Sequence, residues 1–234
     1  HKPIPKNDQR SFNVGYLFLQ SLYHQLKLDK VCRIISDKHN FSYDLNTILS
    51  RLIYMRILNP RSKKGTFECA QDLLEAHEVE SQHIYRALDV LAEESNTIEE
   101  MVYQNSLEIV ERNQQVLYYD CTNFYFEIEE AEGLKQYGMS KENRPNPIVQ
   151  MGLFMDGNGL PLSFVIHSGN QNEQPTLKPS EKRIIRDFNL SQFIVCTDAG
   201  LSSHDNRLYN SFGNRGFITT QSIKLLKKHL KEWA

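Results

Sequence analysis

The chain has 234 residues, of which 40% are apolar, 24% charged and 10% aromatic. That composition excludes disordered, collagen-like and low-complexity scaffolds, and the length suits one large domain or two small ones. No apolar run approaches the length of a membrane span and no signal-peptide pattern opens the chain, so a soluble cytoplasmic protein with no membrane partner is expected; a start at His1 suits a processed product or a piece of something longer.

The net charge of −2 conceals a strong segregation. Residues 1–64 carry 12 basic and 4 acidic side chains, residues 65–132 carry 2 and 17, and residues 133–234 carry 13 and 8. Two basic blocks of this kind suit a polyanionic partner, although solvated helix faces give the same pattern. Cys32, Cys69, Cys121 and Cys196 are widely spread and lack zinc-site spacing, so they are expected as free thiols. Only Gly15 and Gly65 precede residue 133, whereas the other nine glycines lie from Gly133 onward. Glycine is costly inside helices and favoured in tight turns, so the first part of the chain is expected to be helical and the second strand-rich. A boundary near residue 114 divides an all-α domain, 1–114, from an α/β domain, 115–234.

In chain order, apolar residues at helical spacing predict helices over 14–28, 45–58, 67–76 and 84–91, four or five in all. Asn59-Pro60 stops the second, and Ser81 is the expected N-cap of the fourth. Arg51, Arg56, Arg61, Lys63 and Lys64 run off the second helix into a loop, where they can reach a phosphate backbone or simply complement the helix dipole. The acidic stretch from Glu68 to Glu111 is expected as a solvated helix surface. Beyond residue 115 the period changes. Runs 116–119, 124–128, 148–155 and 162–167 predict a three-strand antiparallel meander, and Asp156-Gly157-Asn158-Gly159 is a strong hairpin signal between the last two runs. A helix over 176–188, a buried strand over 193–196, a helix over 203–212, a strand over 216–220 and a basic amphipathic helix over 222–233 follow. The order βββαβαβα implies a mixed sheet with helices on its faces.

Two apolar strands run straight into an acid, Val116-Leu117-Tyr118-Tyr119-Asp120 and Phe193-Ile194-Val195-Cys196-Thr197-Asp198. If the two strands are neighbours, about 4.8 Å apart, both carboxylates can face one hard cation such as magnesium. Taken singly, Asp120 suits an Asx-type cap and Asp198 a turn before Ala199-Gly200.

These acids lie within ordered motifs: Tyr118-Tyr119-Asp120-Cys121-Thr122-Asn123, Tyr137-Gly138-Met139-Ser140-Lys141-Glu142-Asn143-Arg144-Pro145, Gln150-Met151-Gly152-Leu153, Gly157-Asn158-Gly159-Leu160-Pro161-Leu162, Gly169-Asn170 and Thr197-Asp198-Ala199-Gly200-Leu201-Ser202. Across about residues 115 to 225 the sequence resembles bacterial insertion-sequence transposases of the DDE type. The resemblance implies a ribonuclease-H-like fold in which Asp120 and Asp198 are the first two catalytic, metal-holding acids. It also implies two Mg2+ (or Mn2+) ions in the complete enzyme, in-line cleavage and strand transfer on double-stranded DNA at element ends and target, and a homodimer that synapses two ends. Lys141 and Arg144, together with Arg51, Arg56, Lys63, Lys64, Lys224, Lys227 and Lys228, are the candidate DNA-phosphate contacts. Asn170, Glu173 and His204 are candidates to approach the metals from outside the ligand set. Tyr118, Tyr119, Phe124, Tyr125 and Phe126 can stack on bases or pack within the sheet.

The family's third acid belongs to a later Y-x-x-R-x-x-x-E-x-x-x-x-x-x-K pattern that these residues do not contain. A C-terminally truncated chain with little cleavage of its own is therefore expected. Two alternatives are a non-catalytic DNA-binding remnant and a two-metal nuclease whose last acid is Glu232, the one glutamate after Asp198.

Overall fold

The computed structural model describes residues 11–221, 223–226 and 228–231. The chain divides into two compact units, His1–Ile109 and Val110–Ala234.

The described residues of the first unit form helices α1 (Tyr16–Gln25), α2 (Leu28–Lys38), α3 (Leu45–Leu58), α4 (Lys63–Ala70), α5 (Ser81–Glu93) and α6 (Ser95–Ser106). They close over two apolar clusters. One gathers Val31, Cys32, Ile35, Leu45, Ile48, Phe67, Ile84 and Ala87, and the other Tyr16, Tyr23, Leu28, Tyr54, Met55, Ala70 and Leu73. Asp44 starts α3 by accepting from the backbone N–H groups of Asn46 at 3.0 Å and Thr47 at 3.2 Å, which satisfies donors that the first helical turn leaves free.

Several expected boundaries shift, for local reasons. The helix expected over 14–28 ends at Gln25, and α2, which none of the expected helices covers, begins after Lys27, whose left-handed φ of 55° no sequence signal announces. Helix α4 starts before residue 67 because Ser62 caps it at Gly65 N. That start places Lys63 and Lys64 in its first turn rather than in a loop. Ser81 is the first helical residue of α5, and Glu80 occupies the cap position. Helix α6, in an acidic segment with weak apolar periodicity, was not foreseen.

The second unit holds strands β1 (Val116–Tyr125), β2 (Ile148–Asp156), β3 (Pro161–Ser168), β4 (Ile194–Thr197) and β5 (Gly216–Thr219), with helices α7 (Leu177–Asp187), α8 (His204–Asn210) and α9 (Lys228–Lys231). The runs 116–119 and 124–128 are parts of one region, and β1 continues unbroken through Asp120 to Tyr125. The strands form one mixed sheet in the order β3-β2-β1-β4-β5, antiparallel from β3 to β1 and parallel from β1 to β5. Helix α7 carries the chain from β3 at one edge across to β4 beside β1, and α8 links the parallel neighbours β4 and β5. Where one helix was expected over 222–233, the described residues form a 3-10 turn, Ile223–Leu225, and the short α9.

Side chains along β1 alternate: Leu117, Tyr119 and Cys121 are buried, while Tyr118, Asp120, Thr122 and Phe124 are exposed. The buried face packs under α7, whose Leu177, Ser180, Glu181 and Ile184 recur at helical spacing. Tyr119 crosses β2 at Gly152, where a Cβ would stand 2.0 Å from the tyrosine hydroxyl, and ends 2.9 Å from Thr176 Oγ1. Glycine is required there by close approach. The opposite face of β1 carries Asp120.

Candidate functional site

Strands β1 and β4 pair Val116 with Ile194, Leu117 with Val195 and Tyr118 with Cys196. Continuing that register by two residues sets Asp120 against Asp198. The side-chain period of two puts both on the face of Tyr118 and Cys196, away from buried Leu117 and Val195. Asp198 keeps an extended backbone, with φ −76° and ψ 177°, so the strand direction persists to it. Thr219 Oγ1 on β5 donates to the Asp198 carbonyl at 3.0 Å and fixes it from the other side.

Both carboxylates are exposed, and both are anchored by one oxygen. Asp120 Oδ1 accepts from Cys121 N at 2.8 Å, and Asp198 Oδ1 accepts from Leu201 N at 3.2 Å. The Oδ2 of each takes no protein donor among the described residues. Hard oxygen donors held at one point and free at the other suit a single divalent cation with water completing its shell. Among the described residues no group of three or more His, Cys, Asp or Glu side chains is assembled for a metal.

Lys141 lies beside this pair, with its ammonium 3.8 Å from Asp120 Oδ1 and donating to the Cys121 carbonyl. Glu173, in the turn before α7, is the third acid of the neighbourhood. Partial burial pushes its carboxyl above the ordinary value; the Lys141 charge opposes this, and the Asp198 and Asp120 charges reinforce it. An excess of negative charge therefore gathers at this end of β1 and β4, and a cation would relieve it. A cavity of about 550 Å³ opens next to it, lined by Lys141, Asn143, Gln150, Asn172, Glu173 and Gly200, among others.

The remaining candidates divide. Arg144 lies half-exposed over the Tyr125 ring, 4.8 Å from its centroid, and 3.7 Å from Glu142 Oε2. Tyr118 and Phe124 are exposed on the same face as Asp120, whereas Tyr119 is buried. Asn170 accepts the Ser168 hydroxyl within its own turn, and His204 opens α8 exposed. In the helical unit Arg56 and Lys64 are exposed and Lys63 is half-buried.

Arg51 corrects an expectation: it is not a phosphate contact. It is 5% exposed, donates to the Glu75 carbonyl at 2.6 Å, and lies 5.9 Å from the ring centroids of both Tyr16 and Tyr54. Its alkyl stem and planar head fill the tyrosine-rich core instead of reaching solvent. Lys224 is exposed; only the backbone of Lys228 is described, and Lys227 and Glu232 lie outside the described residues.

Asn206 on α8 escaped sequence reasoning. Its side chain is buried and its Nδ2 donates to Gln174 O at 2.9 Å and Leu201 O at 2.8 Å. The available signal was Asn206 and Asn210, four residues apart on one helix face.

No protein-family model and no curated protein matches the chain. Among solved structures, it is similar to a piggyBac transposase synaptic complex with hairpin DNA, with a TM-score of 0.48 and 10% identity over 96% of this chain and 56% of that one. It is also similar to the Mos1 mariner paired end complex with Mn, with a TM-score of 0.33 and 11% identity over 92% of this chain and 79% of that one. A pre-cleavage Mos1 transpososome gives a TM-score of 0.32 at 11% identity over 95% of this chain and 62% of that one. The chain thus spans little more than half the length of the piggyBac transposase chain it matches.

Proposed function

We propose that this chain carries the first two carboxylates of a transposase of the ribonuclease-H-like DDE kind, Asp120 and Asp198, and that they hold a divalent cation at which a DNA phosphodiester is cut and rejoined. The observation that supports the reading is the parallel β1–β4 register, which, continued two residues beyond its last pair, Tyr118 with Cys196, sets Asp120 opposite Asp198 just past β4. The ordered motifs around both acids support it independently.

A divalent cation held by Asp120 and Asp198 would supply Lewis acidity toward an attacking hydroxyl and offset charge on the phosphate. The protein's own part is positional. Asp120 and Asp198 each spend one oxygen on a backbone N–H and present the other, so neither needs to reorient to bind. Lys141 neutralises part of the acidic excess beside Asp120 and is placed to meet a phosphate oxygen as a point charge. Arg144, stacked on Tyr125, offers a planar donor to the backbone farther along, while Tyr118 and Phe124 offer rings to unstacked bases. Arg56, Lys63, Lys64 and Lys224 supply sequence-independent attraction to double-stranded DNA. Two copies acting on two DNA ends, in a bacterial cytoplasm, complete the reading.

Affinity of an oxygen site rises with its carboxylate count, so a two-carboxylate site binds its cation weakly. The test is calorimetric titration of the full chain with Mn2+, paired with nicking of supercoiled plasmid in Mn2+. Asp120→Asn and Asp198→Asn should each weaken Mn2+ binding at least tenfold and abolish whatever nicking the parent chain shows. Unchanged Mn2+ binding in both variants would overturn the proposal.

A further inference from the structure

The acids of this site sit on separate pieces of chain, and one buried side chain ties two of those pieces together. Asp198 opens the turn Ala199–Leu201, and its Oδ1 is held by Leu201 N. Glu173 directly precedes Gln174, the first residue of the short turn Gln174–Thr176 that leads into α7. The Nδ2 group of Asn206 has two protons, and both are used: one bonds Leu201 O in the Asp198 turn and the other Gln174 O in the Glu173 turn. Asn206 is 5% exposed, so water does not compete for these bonds. Its carbonyl accepts from Asn210 Nδ2 at 3.2 Å, while Ser203 Oγ caps α8 at the Asn206 backbone N–H at 3.2 Å without touching the side-chain amide.

From this we infer that Asn206 is a positioning residue: its amide staples the turn that holds the Asp198 carboxylate to the turn before α7 and so fixes where Asp198 meets a cation. The inference rests on the metal reading proposed above. The amide is the smallest side-chain group with two N–H donors on one nitrogen, so no smaller side chain reproduces the staple. Removing it takes one donor from Gln174 O and one from Leu201 O, which keeps only the Ser203 backbone N–H at 3.0 Å, and the side-chain tie between the two turns is lost.

The test compares Asn206→Ala with Ser203→Ala, which removes the α8 cap but keeps the amide staple, and with Asp198→Asn, which keeps the turn but removes the charge. Two readouts are taken on the full chain: the Mn2+ dissociation constant, and amide hydrogen exchange without metal at Leu201 and Thr176 against Tyr119 in the sheet core. Asn206→Ala is expected to weaken Mn2+ at least tenfold and to speed exchange at Leu201 and Thr176 with Tyr119 unchanged, while Ser203→Ala stays within twofold of the parent in Mn2+ affinity. The inference is overturned if Asn206→Ala binds Mn2+ like the parent while Asp198→Asn does not, or if Ser203→Ala weakens binding as much as Asn206→Ala. If Asp198→Asn itself binds Mn2+ like the parent, the metal reading fails, whatever Asn206 does.

Discussion

Glu181 on α7 is fully buried, with Asn210 Nδ2 on its Oε1 at 2.7 Å and no partner for its Oε2 among the described residues. Burial pushes its carboxyl from the ordinary 4.5 up to about 7, against the Asn210 hydrogen bond and the Arg215 charge, which pull it down. Between those two values the folded chain holds a proton that the unfolded chain has released, so stability falls as pH rises through this window, by on the order of 3 kcal/mol. Below the window both states are protonated and the term vanishes. Urea unfolding of the parent chain should therefore show a midpoint that drops between pH 5 and 7.5, and Glu181→Gln should flatten that part of the profile. An identical slope in the variant would contradict the assignment. Arg51 makes the opposite point about charge and exposure. Because it is enclosed by Tyr16, Tyr54 and the Glu75 carbonyl, Arg51→Ala should cost roughly 2–3 kcal/mol of stability, measured by thermal unfolding, and leave DNA affinity unchanged under folding conditions.

The β2–β3 hairpin and the segment ahead of β1 behave as one element. Arg112 Nε donates to Asp156 Oδ2 at 2.6 Å, and its Nη2 donates to the carbonyls of Leu160 at 3.0 Å and Pro161 at 2.7 Å. Both partners are buried, at 3% and 0% side-chain exposure. Arg112→Ala strands the Asp156 charge and should lower unfolding free energy by about 3–5 kcal/mol. Gly152→Ala forces Tyr119 off β2 and should cost about 1–3 kcal/mol; a loss below 0.5 kcal/mol in denaturant titration would show that Tyr119 moves aside freely. Much of this element was legible in the sequence. Asp156-Gly157-Asn158-Gly159 announced the hairpin, and the apolar runs before Asp120 and Asp198 announced β1 and β4. What the sequence withheld depends on tertiary partners. Lys27 bends the chain without glycine or proline, and α6 has a weak apolar stripe. The burial of Arg51 follows from where Tyr16 and Glu75 fold, and the Asn206 staple follows from carbonyls 32 and 5 residues away along the chain.

For the molecule as a whole, charge separated along the sequence should be read out as salt-dependent attraction to DNA. Arg56 and Lys64 are exposed, so Arg56→Ala with Lys64→Ala should weaken duplex binding and reduce the slope of log affinity against log salt by about 2, one for each lost phosphate contact. An unchanged slope would remove the helical unit from the DNA surface. No described helix is long and apolar enough to cross a membrane. The central claim is that residues far apart in sequence, Asp120 within β1 and Asp198 just past β4, share one cation. Fe2+ bound in place of Mg2+, with ascorbate and peroxide, cleaves the backbone around the ion. The account predicts cuts near residue 120 and near residue 198 in the same chain, both suppressed by excess Mg2+ and both lost in Asp120→Asn; cutting at only one of the two positions, or cutting that Mg2+ does not suppress, would contradict it.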